Sequence, residues 1–177
     1  MIDIQKEIEK KFPNMDKKEN FLKKSLFKIA KKIVHEDSIN QFLAQNSHLK
    51  GFEFVDAVLD YFDFDYAISS NDLQNIPTSG KVVIIANHPL GGLDALCLLR
   101  LIGQIRKDVK IIANDFLAGF EALNSLIITI DNYKQKQSKS DIKKIYEALK
   151  NEEAVIIFPA GEVSRATAKG IKDPAWN

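Results

Sequence analysis

Little in this chain is available for covalent or redox chemistry. Its one cysteine, Cys97, sits in the apolar run Leu96-Cys97-Leu98-Leu99. A lone thiol cannot close an intrachain disulfide, and among leucines it reads as a packing residue rather than a nucleophile. That fits a reducing cytoplasm. No apolar run is long enough to span a bilayer, and Met1-Ile2-Asp3-Ile4-Gln5 is not a secretion signal, so membrane contact is expected to be peripheral. A formal net charge of +1 leaves no electrostatic footprint for nucleic acid. Arginine occurs only as Arg100, Arg106 and Arg165, the other positive charges being lysine. His35 and His48 are not at metal-ligand spacing with His88, so no metal is expected. Internal repeats and low-complexity tracts are absent. Hydrophobic residues are not scarce: they make up 45% of 177 residues, enough for the core of one domain or one and a fraction.

The chain is organised around Val82-Val83-Ile84-Ile85-Ala86-Asn87-His88-Pro89-Leu90-Gly91-Gly92-Leu93-Asp94. Val82 to Ala86 form a continuous apolar, β-branched run, which predicts a central strand covered on both faces. Pro89 cannot donate to a sheet ladder and ends the strand, Gly91-Gly92 permits a sharp turn, and Asp94 falls in the first turn of an apolar helix. Side chains at such a crossing sit at the carboxyl edge of a sheet, where α/β proteins hold ligands. If the glycines fold the turn back, Asp94 can accept the imidazole N–H of His88 and leave the other nitrogen to act as a base. For these two residues alone, a polar strand end and a helix cap are the plainer alternative. A second stretch, Ala154-Val155-Ile156-Ile157-Phe158-Pro159-Ala160-Gly161-Glu162-Val163-Ser164-Arg165, repeats the pattern of an apolar strand ending in a polar turn.

Residues 1–75 read as an N-terminal helical segment and residues 76–177 as an α/β domain. From Phe21 to Val34, Leu22, Leu26, Ile29 and Ile33 recur at helical spacing among Lys24, Lys28, Lys31 and Lys32. Such a helix packs its stripe on a core or lies on an anionic membrane. Residues 51–80 contain no basic residue; their acidic face pairs with the preceding lysines or is simply solvated. Within them Phe52 to Phe62 predicts a helix, Asp65 to Ser69 a short strand and Asn71 to Gly80 a loop. Strands are then expected at 82–86, 109–113, 126–130 and 154–158, with a helix between each and the next. The clearest helix is 141–150, with an apolar stripe of Ile142, Ile145, Tyr146 and Leu149 and Ser140 as its cap. Alternation of this kind means a mainly parallel sheet covered by helices on both faces.

Together, Asn87-His88-Pro89-Leu90-Gly91-Gly92-Leu93-Asp94 and Phe158-Pro159-Ala160-Gly161-Glu162-Val163-Ser164-Arg165 resemble the glycerolipid acyltransferase family of the lysophosphatidic-acid-acyltransferase type. The nearer likeness is to its bacterial, hemolysin-like branch, some members of which make aminolipids. Two features depart from the pattern. Five residues separate His88 from Asp94 where the family has four, and Ala160 stands where the second motif has a glutamate. The resemblance implies further strands and helices after the second motif, so the chain reads as truncated.

Acyl transfer from a thioester needs a base, an oxyanion stabiliser and a grip on the acceptor, but no protein nucleophile; the chain has no nucleophile-elbow sequence. The resemblance implies His88 as general base, Asp94 as its orienting partner, and the Gly91 and Gly92 amides as oxyanion donors. An amide in place of Asp94 is expected to favour the wrong imidazole tautomer. Asn87, Phe158, Pro159, Gly161, Glu162, Ser164 and Arg165 would form the acceptor site, with the Arg165 guanidinium on a carboxylate or phosphate. No cofactor is implied, only an acyl-carrier protein or coenzyme A thioester as co-substrate. The acceptor is a lyso-lipid met at the inner face of the cytoplasmic membrane. A lyso-aminolipid is favoured because Ile111 to Tyr133 carry no lysine or arginine, whereas Asp115 and Glu121 are acidic. Glycerol phosphate or lysophosphatidic acid is the alternative acceptor, and a non-catalytic lipid- or phosphate-binding domain is the alternative of another class.

Overall fold

A computed structural model describes residues 35–113, 117, 119–130, 139–167 and 170–176. The chain forms two compact units, Met1–His48 and Leu49–Asn177. In the first, helix α1 (Glu36–Gln45) is described; the expected amphipathic helix from Phe21 to Val34 lies outside the described residues. In the second, α2 (Phe52–Tyr61) and the short α3 (Ser70–Gln74) precede β1 (Val82–Ile85), α4 (Gly92–Ile105) and β2 (Val109–Ala113). A single 3₁₀ turn (Glu121–Leu123), β3 (Ile127–Thr129), α5 (Lys139–Lys150) and β4 (Ala154–Ile157) follow. The hairpin of β5 (Arg165–Thr167) and β6 (Gly170–Lys172) comes last. Residues 49–75, grouped by sequence with the N-terminal helices, thus share a compact unit with the sheet.

Four strands make one parallel sheet in the order β1-β4-β2-β3. Parallel strands need crossovers, and α4 and α5 supply them, covering opposite faces. One face buries Ile128 and Val155, with Ile112 and Ile157, under Ile145, Ala148 and Leu149 of α5. The other carries Val109, Ile111 and Ile156 beneath α4, which presents Leu99 and Ile102 and is backed by Val55 and Leu59 of α2. The two helices approach closely because Gly103 has no side chain: a Cβ there would run into the Phe52 ring.

Several expectations are corrected. β1 is an edge strand of the described sheet, not a central one, and Val83 and Ile85 are exposed because α5 does not extend over them. The α5 stripe is split for the same reason: Ile145 and Leu149 pack, while Ile142 and Tyr146 face out. The described part of the helix begins at Lys139, so Ser140 lies within it and not before it. Residues 65–69 pair with no strand among the described residues, and the expected loop opens with α3, whose cap Ser69 accepts from the Asp72 N–H at 3.1 Å. A polar residue that bonds its own backbone starts a helical turn as readily as it interrupts one.

Arg106, which has no assigned role in the sequence, fastens the amino edge of the sheet. Its buried guanidinium pairs with Asp108 at 2.7 Å and donates to the carbonyls of Pro77, Gly80 and Glu152 at 3.3, 2.8 and 2.7 Å. The three segments that feed β1, β2 and β4 are thereby tied at one point. Asp56 and Asp60 of the acidic α2 meet Arg100 of α4, at 3.0 and 3.7 Å.

Candidate functional site

The two motifs meet because their strands are neighbours. Ile85 pairs with Ile157, and the Ala86 N–H donates to the Ile157 carbonyl at 3.2 Å, so both turns leave the same carboxyl edge side by side. Beyond the ladder, the Ser164 N–H donates to the His88 carbonyl at 3.0 Å. The Phe158 ring stacks on the His88 imidazole, with centroids 4.0 Å apart and planes 21° apart. Nothing in the spacing of 70 residues between His88 and Phe158 reveals this contact; the strand order creates it.

The turn after β1 folds back as its glycines allow. Gly91 takes φ +74° and ψ −129°, a backbone closed to side-chain-bearing residues, and a Cβ on it would touch Val163 of the second turn at 3.5 Å. Gly92 opens α4, and Asp94 follows in its first turn, where a carboxylate complements the helix dipole. The Asp94 Oδ2 accepts the Leu90 N–H at 2.6 Å and lies 3.5 Å from His88 Nδ1. Five intervening residues therefore suffice to bring the pair together.

The second distance is longer than a hydrogen bond, and the buried Nδ1 has no hydrogen-bond partner among the described residues. The pair is adjacent but not closed, and such contacts tighten when substrate binds. Burial pushes the His88 pKa below 6.5, opposed by the Asp94 charge, so the ring is neutral at neutral pH. A carboxylate beside Nδ1 favours the proton there and leaves the Nε2 lone pair free. A neutral imidazole with its Nε2 lone pair free can accept a proton, and the first N–H groups of a helix can donate to a negative charge.

The remaining sequence candidates divide. Phe158 and Ser164 join the His88 turn through the stacking and hydrogen bond above; Pro159 is half-buried beside them. Gly161 turns the chain at φ +66°. Glu162 and Arg165 are exposed and paired with each other at 2.7 Å, so the guanidinium is already partly neutralised. Across the hairpin Arg165 faces Lys172, a second cation that counting within the motif misses. Glu121, expected near the acceptor, is exposed and reaches Lys50 at 3.8 Å, and Asp115 lies outside the described residues. Asn87 donates to the Asp173 carboxylate at 2.8 Å and accepts from the Trp176 indole at 3.3 Å; neither partner stands in a recognisable motif. Among the described residues no group of His, Cys, Asp and Glu could hold a metal ion, and no helix is long and apolar enough to cross a membrane.

Residues 8–177 match the family described as acyltransferase. The chain is similar to the lyso-glycine lipid O-acyltransferase of Phocaeicola vulgatus, with 32% identity over 177 residues, covering 99% of this chain and 61% of the relative. The protein of the same name from Bacteroides thetaiotaomicron is also 32% identical, over 99% of this chain and 63% of its own length. The chain thus spans somewhat over three-fifths of these relatives. No solved structure matches it.

Proposed function

This chain belongs to the acyltransferase family, and from that premise we propose that it moves a fatty acyl group from a thioester to the hydroxyl of a lyso-lipid. The observation that carries the proposal is the neutral, half-buried His88 with Nδ1 3.5 Å from Asp94, where both motif turns converge. A non-catalytic binding domain has no use for an imidazole kept neutral beside a carboxylate in this way. His88 Nε2 takes the proton of the acceptor hydroxyl as its oxygen attacks the thioester carbonyl. The tetrahedral oxyanion forms near the Gly91 and Gly92 amides. The C–S bond then breaks, and the imidazolium returns its proton to the departing thiolate. The products are an ester and a free thiol. The Asp94 charge stabilises the imidazolium between these steps.

The donor is an acyl-carrier protein or coenzyme A thioester, and the encounter with lipid is a peripheral one at the cytoplasmic membrane. The acceptor is a lyso-aminolipid with a single carboxylate. Two relatives named for lyso-glycine lipid support this, as does the partial neutralisation of Arg165 by Glu162, which leaves the guanidinium better matched to one carboxylate than to a dianion. The deciding experiment is a competition assay with His88→Ala as control. Lyso-glycine lipid should be acylated faster than lysophosphatidic acid at equal concentration. The variant should lose about 10²–10⁴ in rate while keeping its fold. Faster turnover of lysophosphatidic acid would overturn the acceptor, and a His88→Ala rate within a few fold of wild type would overturn the mechanism.

A further inference from the structure

Both turns of the site are largely exposed, so packing alone does not fix where His88 points. Beyond the Ser164–His88 backbone bond and the Phe158 stack, a further link joins the turns, and it comes from outside both motifs. Asp173, directly after β6, accepts from the Asn87 amide through Oδ2 at 2.8 Å and from the Ser164 hydroxyl through Oδ1. Three residues on, the Trp176 indole donates to the other end of the same Asn87 amide at 3.3 Å. The Asn87 side chain is thus held at both ends by one short segment, next to the residue that carries the imidazole.

We propose that Asp173 is a positioning residue: its carboxylate straps the turn after β1 to the turn after β4 and fixes the backbone from which His88 projects. The two polar atoms at the end of the Asp173 side chain meet one turn each, a fork that a single hydroxyl does not present. The Arg165–Lys172 ladder of the hairpin sets where the carboxylate arrives. All three side chains are exposed or half-buried, and hydrogen bonds open to water add little to folding stability. Their effect is geometric. In a site of this kind a misplacement of about 1 Å costs about 10²-fold in rate. The catalytic consequence rests on the acyl-transfer reading above; the strap itself does not.

The test uses the full chain with Asp173→Ala, Asp173→Asn and Asn87→Ala. Acyl transfer to lyso-glycine lipid is one readout, and acrylamide quenching of Trp176, the only tryptophan, is the other. Asp173→Ala should lower kcat by about 10- to 100-fold with KM little changed, leave the melting temperature in place and make Trp176 more readily quenched. An asparagine can accept from Asn87 and donate to the Ser164 oxygen, so Asp173→Asn should recover most of the kcat and the wild-type quenching. Loss in Asp173→Asn equal to that in Asp173→Ala would mean that the charge matters and not the strap, and would overturn the proposal. So would wild-type kcat in Asp173→Ala, or a loss matched by a fall in melting temperature. If the wild-type chain transfers no acyl group, the functional reading fails by itself. The strap then stands if Asp173→Ala and Asn87→Ala both free Trp176, and falls if neither does.

Discussion

Asp94→Asn changes the charge opposite His88 and leaves the turn's cap in place. A single oxygen, Oδ2, both accepts the Leu90 N–H at 2.6 Å and faces His88 Nδ1 at 3.5 Å. The Leu90 amide can only donate, so in asparagine the carbonyl oxygen must take that position. The same oxygen then still faces Nδ1, and the tautomer with its proton there survives. The wrong-tautomer outcome expected from the sequence is therefore revised: what is lost is electrostatic. Unit charges 3.5 Å apart attract by about 5 kcal/mol at an effective dielectric of about 20. The two side chains keep 19% and 15% of their exposure, and water at those edges leaves about 2–3 kcal/mol, or about 30- to 160-fold in kcat. The pH profile carries a second signature. Burial lowers the His88 pKa and Asp94 raises it, so removing the charge moves the acid limb of kcat/KM to lower pH. The variant should be slower on the plateau yet hold that plateau further into acid, with an unchanged melting temperature. Asp94→Ala, which also loses the Leu90 cap, should be less stable by about 1 kcal/mol. A plateau within about twofold of wild type, or an acid limb displaced upward, would refute the reasoning.

Gly103→Ala forces a Cβ into the Phe52 ring; the overpacking cost of about 1–3 kcal/mol exceeds the helix-propensity gain of about 1 kcal/mol, so the melting temperature should fall. A rise would show that α2 and α4 are not in close contact there. Arg106→Leu strands Asp108 and three carbonyls and should cost about 3–5 kcal/mol in urea unfolding, with a loss below about 1 kcal/mol counting against its role as a fastener. His88 has a lowered pKa in the fold, so the unfolded chain binds its proton first as pH drops; that part of the stability is whole above about pH 6.5 and is lost as pH falls through the folded value. His88→Gln should flatten this acid decline, and an equally steep decline in the variant would assign it to other groups. Replacing Lys24, Lys28, Lys31 and Lys32 with glutamine should weaken salt-sensitive binding to anionic vesicles, and equal co-sedimentation by both proteins would place the membrane contact elsewhere.

The four strands of the parallel sheet were legible because their composition leaves few options, each within a residue or two of its observed bounds, whereas the β5–β6 hairpin was not expected. The Gly91-Gly92 turn was legible too, since glycine at φ +74° is a local requirement written in a local residue. Failures came where a residue's environment is set by distant chain. Val83 and Ile85 look like core by type, yet they are exposed because α5 packs over the neighbouring strands and not over them. Arg106 reads as one charge among 25 basic residues and is a buried fastener, because three carbonyls from remote loops converge on it.

By itself the sequence determined the parallel α/β class and the two polar turns at strand ends, and it offered His88 and Asp94 as a pair only beside the plainer reading of a strand end and a helix cap, until the family resemblance favoured the pair. Hydrophobic periodicity, proline, glycine and capping preferences act over a few residues and can be read there. Only the tertiary structure decided that β1 and β4 are neighbours, so that Phe158 stacks on His88 and the Ser164 amide reaches its carbonyl. It alone brought Lys172 opposite Arg165 and Asp173 between Asn87 and Ser164. Strand order and hairpin register are settled by which apolar faces bury best against each other, a property of the whole chain that no local stretch encodes.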